Sequence, residues 1–218
     1  VLGVEEIFRF AVDAVGQLRS RSAICTPNVL HGRGQFDSSS SQIPTFVSRG
    51  VPRCTGSTPN PMNQERLNTL VQDFRDLQDR IVRGIEAVEA EHAGLTFVDD
   101  NWDRPGGGGG RTRVLTCGQV WERGGVNFSQ VEGEASPALK AQMQTNADRF
   151  WAAGVSLVLH PNNPHVPIVH MNVRHFALSD GTSWFGGGID MTPHYVNPKE
   201  ATQFHRALKK ACNAHRCA

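Results

Sequence analysis

Two neighbouring stretches, 155–160 and 168–178, alternate apolar and polar residues with a period of two. That alternation restricts the fold more than any other feature of the chain. In the first stretch Val155, Leu157 and Leu159 share one side, and Ser156, Val158 and His160 share the other. In the second, Val169, Met171, Val173 and Ala177 form an apolar side. The opposite side carries His170, Asn172 and Arg174, bracketed by Ile168 and Phe176. The connection 161–167 (PNNPHVP) lets the two strands pair as a hairpin. Paired with their polar sides together, they gather Ser156, His160, His170, Asn172 and Arg174 on one surface. An antiparallel sheet with one face on a core leaves its other face for water or for a ligand.

The residue types on that surface suit a ligand. An imidazole gives or takes a proton near neutral pH, which makes His170 a candidate acid or base. The guanidinium of Arg174 can hold a carboxylate through two parallel hydrogen bonds. His160 and His170 can instead share a metal with a third ligand from elsewhere. Asp190 follows three glycines, 186–188, that allow close approach of a ligand, and its carboxylate can accept from several N–H donors. Farther on, His205 lies four residues after Ala201 and three before Leu208, a spacing that predicts an inward-facing helix position. The Cys212, His215, Cys217 grouping matches no common zinc spacing.

The rest of the chain frames this hairpin. Residues 63–92 predict a long amphipathic helix, with Leu67, Leu70, Val71, Phe74, Leu77, Ile81, Ile85 and Val88 as its buried stripe. Residues 99–113, with five consecutive glycines at 106–110, predict a loop; no Gly-Lys-Ser/Thr follows, which excludes a P-loop. Strands are predicted at 114–121, 126–132, 155–160, 168–178 and 183–190, and a helix at 137–153. A last helix begins after Asn197, with Pro198 at its first position. Hairpin-forming strands with helices in blocks predict an α+β antiparallel fold. The 22 basic and 21 acidic residues argue against a nucleic-acid surface, and no apolar run is long enough to span a bilayer. Five cysteines in 218 residues predict free thiols rather than a disulfide framework. Residues 14–62 carry eight Ser, five Arg, no Lys and one acid, Asp37. With Val in place of an initiator Met, this predicts 1–62 to be a leader, transit-peptide-like or disordered. A transit peptide would take the protein to a plastid or mitochondrion; otherwise it stays in the cytoplasm.

Several linked segments resemble one family. They are 154–161 (GVSLVLHP), 169–174 (VHMNVR) and 184–193 (WFGGGIDMTP), together with 102–110 (WDRPGGGGG), 125–129 (GVNFS) and 203–206 (QFHR). In order and spacing they resemble the oxygen-dependent coproporphyrinogen oxidases. The resemblance implies a large antiparallel sheet flanked by helices, incomplete here, with 63–218 as the N-terminal two-thirds of the domain. It implies oxidative decarboxylation of coproporphyrinogen III propionates on rings A and B to vinyl groups, with O2 as co-substrate, no organic cofactor and a homodimer. By the same resemblance His170 is the proton donor and Asp190 faces the pyrrole nitrogens. Ser156, Asn172, Val173 and Arg174 contact substrate, and His160, His170 and His205 are ligands of a divalent metal. Later family motifs have no counterpart in the chain, so a truncated, non-catalytic relative that binds porphyrinogens or associates with other subunits is the alternative expectation. A metal-dependent hydrolase using the three histidines is a third.

Overall fold

The computed structural model describes residues 63–92 and 94–214. The leader expected at 1–62 lies outside them, as do His215 and Cys217. The long helix α1 (Gln64–Ala90) begins at Asn63, whose side chain accepts the Arg66 amide at 3.1 Å. Its stripe buries Leu67, Leu70, Phe74, Leu77, Ile81 and Ile85, none more than 2 % exposed. Removing side chains of this size from water contributes roughly 1.5–3 kcal/mol each. No helix among the described residues is long and apolar enough to cross a membrane.

Six strands follow in a simple antiparallel meander, each hydrogen-bonded to the next in chain order. They are β1 (Val98–Asp103), β2 (Gly108–Thr116), β3 (Trp121–Glu134), β4 (Arg149–Pro161), β5 (Ile168–Leu178) and β6 (Ser183–Thr192). A short helix, α2 (Pro137–Met143), sits between β3 and β4, and α3 (Pro198–Ala214) follows β6. The α1 helix packs across β3 and β4. The core it closes includes Val126, Phe128, Trp151, Leu157, Val169 and Met171. The architecture is the α+β antiparallel sheet that the sequence predicts.

Two polar residues of α1 tie helix to sheet. Gln78 is fully buried; its Nε2 donates to the carbonyls of Arg111 (2.7 Å) and Val126 (2.8 Å), and its Oε1 accepts from Arg111 Nε at 2.8 Å. Glu89, also fully buried, accepts the amides of Gln119, Val120 and Trp121 in the turn between β2 and β3. Gly118 fits there because a Cβ would stand 2.5 Å from Glu89 Oε1.

Two sequence expectations are corrected. Residues 99–113 are not a loop: they form most of the β1–β2 hairpin, with Asp103 opposite Gly109 and Asp99 opposite Arg113. The glycines make its turn, Gly106, Gly107 and Gly108 all having positive φ, and then continue as strand. The helix expected at 137–153 ends at Met143, because Gln144 is left-handed at φ 50°. From Arg149 the chain is already β4, with Trp151 and Ala153 buried at alternate positions.

Candidate active site

The register of β3 to β6 aligns the side chains facing away from α1 into rows. One row runs Gly125, Val158, His170, Asp190; the next runs Asn127, Ser156, Asn172, Gly188; a third runs Ser129, Gly154, Arg174, Gly186. Ser156, His160, His170, Asn172 and Arg174 therefore share one face, as their alternation predicts. Gly186 and Gly188 keep the β6 side of that face low, beside Arg174 and Asn172.

His170 and Asp190 are register partners, and Nδ1 lies 2.8 Å from Oδ1. A carboxylate only accepts, so the shared proton sits on Nδ1 and Nε2 is left as the free ring nitrogen. Thr192 Oγ1 donates to the same Oδ1 at 3.3 Å and steadies it. The side chains are 45 % and 54 % exposed, so their attraction adds at most about 1 kcal/mol to stability. Its consequence is orientation of the imidazole. Four residues along β5, Arg174 Nη2 donates to Asn172 Oδ1 at 3.1 Å, which leaves the guanidinium's other donors for an anion. The exposed Ser156 stands opposite Asn172 on one side and Asn127 on the other. Asn127 Oδ1 has no hydrogen-bond partner among the described residues. Asn127 is thus on the site face by register, but this oxygen is shielded from the surface.

Two expected site residues are placed elsewhere. Val173 is 7 % exposed and packs in the core on the α1 side, the parity opposite to its neighbours Asn172 and Arg174. Its side chain is turned away from the site, and only its backbone lies in the β5 floor. His205 is not inward-facing: it is exposed on α3, whose Phe204 packs against the core cluster on the α1 side of the sheet. The imidazoles of His160 and His170 meet edge to face on the other side, with ring centroids 6.4 Å apart. Among the described residues no three His, Cys, Asp or Glu side chains come together as a metal site. The donor set of His160, His170 and His205 thus does not fit one ion, and no step through a metal follows from it. The hydrolase expectation loses its centre for the same reason.

Sequence alternation missed His175, which breaks the apolar side of β5. It is fully buried between Trp151 and Phe185, with ring centroids at 5.9 and 4.6 Å, and among the described residues neither ring nitrogen has a hydrogen-bond partner. Desolvation by burial, reinforced by the positive charge of Arg66, lowers its pKa from 6.5 to about 4, so it is neutral near pH 7.

Fold and site together define a class: an α+β protein whose sheet face, low in side chains along β6, carries a carboxylate-oriented imidazole and a guanidinium with donors to spare. Comparison with known proteins is more specific. Residues 69–218 match the family model for coproporphyrinogen III oxidase. Among curated relatives, an oxygen-dependent coproporphyrinogen-III oxidase of Parasynechococcus marenigrum is 46 % identical over 140 residues, covering 63 % of this chain and 38 % of the relative. The protein of that name from Prochlorococcus marinus is 42 % identical over 161 residues, covering 72 % and 45 %. Its counterpart from a Synechococcus species is 41 % identical over 174 residues, covering 75 % and 47 %. The chain belongs to the coproporphyrinogen III oxidase family. It spans less than half the length of these curated relatives.

Proposed function

We propose that the chain carries the proton-handling and carboxylate-binding face of an oxygen-dependent coproporphyrinogen III oxidase. Each turnover at one side chain is R–CH2–CH2–COO− + O2 + H+ → R–CH=CH2 + CO2 + H2O2. The propionate loses carbon dioxide and two electrons, and oxygen takes up the electrons with two protons. No organic cofactor is needed, because the tetrapyrrole is itself electron-rich once a pyrrole N–H is deprotonated. The observation that carries this reading is the His170–Asp190 pair, on the same face as Arg174, in a chain of this family.

The roles follow from the geometry. Arg174 holds a propionate, and Asn172 sets the plane of its guanidinium. Nε2 of His170 exchanges a proton with the substrate, while Asp190 keeps Nδ1–H in place and stabilises the imidazolium formed on protonation. The second oxygen of Asp190, together with Ser156, accepts from pyrrole N–H groups. The family's homodimer and residence in a plastid or mitochondrion, with the cytoplasm as the alternative, are part of the same proposal. Sedimentation of the chain and the destination of a fluorescent fusion to residues 1–62 test them.

The decisive experiment is aerobic incubation with coproporphyrinogen III, following oxygen uptake and protoporphyrin fluorescence. Turnover that His170→Ala lowers far more than it lowers affinity supports the reading. No product beside a working relative overturns catalysis by this chain. A porphyrinogen-binding or subunit-associating role is the second reading. Binding without oxygen uptake is its signature.

A further inference from the structure

The β3 strand opens with an irregularity. Trp121 pairs with Pro161 and Arg123 with His160, so Glu122 is an extra residue in β3. Trp121 is buried on the α1 side, and Gly124 also faces that side, against Leu159 and Phe97. Arg123 therefore shares the face of its partner His160, the face that carries His170 and Asp190. In a regular strand the adjacent residue 122 would point the other way. The bulge instead brings Glu122 to Arg123, and Oε1 lies 3.1 Å from Nη2 with the side chains 53 % and 66 % exposed. An exposed pair of this kind stabilises a fold very little, so stability gives no reason for the interrupted ladder. Bulges next to functional sites serve to re-aim a side chain.

We infer that Arg123 is a second carboxylate anchor for the substrate, at the opposite end of the face from Arg174. This rests on the tetrapyrrole reading given above. Arg174 is level with Gly154 and Arg123 with His160, six residues along β4. At about 3.3 Å per residue that is roughly 20 Å, with two strand spacings adding about 10 Å sideways. Both side chains are long and can lean inward over the floor. Between them they bracket a four-ring macrocycle with carboxylates at opposite corners. One anchor leaves such a molecule free to pivot; two fix which ring lies over His170. In the free protein Glu122 holds the place of the substrate carboxylate, and binding exchanges one carboxylate for the other.

Equilibrium binding of coproporphyrin III, a stable tetracarboxylate probe followed by its fluorescence, tests this with the full chain. Arg123→Ala is expected to weaken binding five- to twentyfold, and Arg123→Lys threefold or less. Glu122→Gln removes the resident competitor and is expected to tighten binding two- to fivefold, a gain that misfolding does not produce. If Arg123→Ala and Glu122→Gln bind as the wild type does while Arg174→Ala binds more weakly, the second anchor is refuted and the tetrapyrrole reading stands. If the wild-type chain binds no coproporphyrin III, both fail together.

Discussion

Replacing Glu89 by alanine tests how the helix holds the end of the sheet beside the site. Its Oε1 accepts the amides of Val120 at 3.0 Å and Trp121 at 2.7 Å, and its Oε2 accepts that of Gln119 at 2.9 Å. A buried amide left without an acceptor costs roughly 1–3 kcal/mol. The Trp121 amide is buried and the other two are partly so, so Glu89→Ala should cost about 3–5 kcal/mol. Glu89→Gln keeps one oxygen but sets its NH2 donor against another N–H, and should cost about 1–2 kcal/mol. Gly118→Ala places a Cβ 2.5 Å from Glu89 Oε1 and 2.6 Å from Trp121 O, displacing the same carboxylate at about 1–3 kcal/mol. Because both changes break one network, the double variant should cost less than the sum. Urea unfolding followed by circular dichroism measures each value. The turn also accepts from Asn162 Nδ2, through Gly118 O at 2.7 Å and Gln119 O at 3.0 Å. Glu89→Ala should therefore loosen the β4–β5 connection and the Trp121–Arg123 bulge together. A loss under about 1 kcal/mol at an unchanged denaturant slope would refute the reasoning.

Other predictions are more local. His175 is neutral in the fold and takes up a proton more readily once unfolded, so its contribution is fully present above pH 6.5 and is lost as pH falls towards 4. The loss is roughly 3 kcal/mol over that window, and comparing urea midpoints of wild type and His175→Phe at pH 7.5 and 4.5 should show the variant less sensitive to acid. Under the proposed function, Asp190→Asn should lower turnover about a hundredfold, since the amide carries no charge to stabilise the imidazolium and its NH2 can turn to Nδ1 and favour the wrong tautomer; melting should move little because the pair is half exposed. Gly108→Ala should cost at least about 2 kcal/mol in a thermal melt, because φ there is +97° and its Cβ would lie 2.9 Å from the Val131 Cα.

The parts of the fold that the sequence discloses are those where side chains alternate. Val155, Leu157 and Leu159 against Ser156 and His160 define β4, and the same parity defines β5. The β1–β2 hairpin stays hidden because Gly108, Gly109 and Gly110 have no side chains with which to show a period. The start of β4 stays hidden because Phe150, Trp151, Ala152 and Ala153 are apolar throughout, a run that suits a helix as well as a strand. Glu89 does leave a trace. It stands four residues after Ile85 and eight after Ile81, on the buried stripe, where a carboxylate needs hydrogen bonds to persist. What the sequence does not supply is the partner, the turn at 119–121, which lies about 30 residues away. His205 shows the opposite failure: its spacing from Ala201 and Leu208 suits a buried face, but α3 packs a half-buried Phe204 against the core and leaves its neighbour exposed.

Two histidines five residues apart on β5 show how much depends on parity. His170 is 45 % exposed and hydrogen-bonded to a carboxylate; His175 is fully buried, with no hydrogen-bond partner among the described residues. Nothing in residue type separates them. An odd separation along a strand puts two positions on opposite faces, and the α1 stripe decides which face is dry. A slip of one residue in the pairing of β5 would carry His170, Asn172 and Arg174 under the helix and expose Val169, Met171 and Val173. That slip would bury a guanidinium and lose several apolar side chains to water, each worth roughly 1.5–3 kcal/mol. Core packing is thus what assigns the chemical face: Met171 and Val173 keep His170 and Arg174 in the site by occupying the side that those two must not.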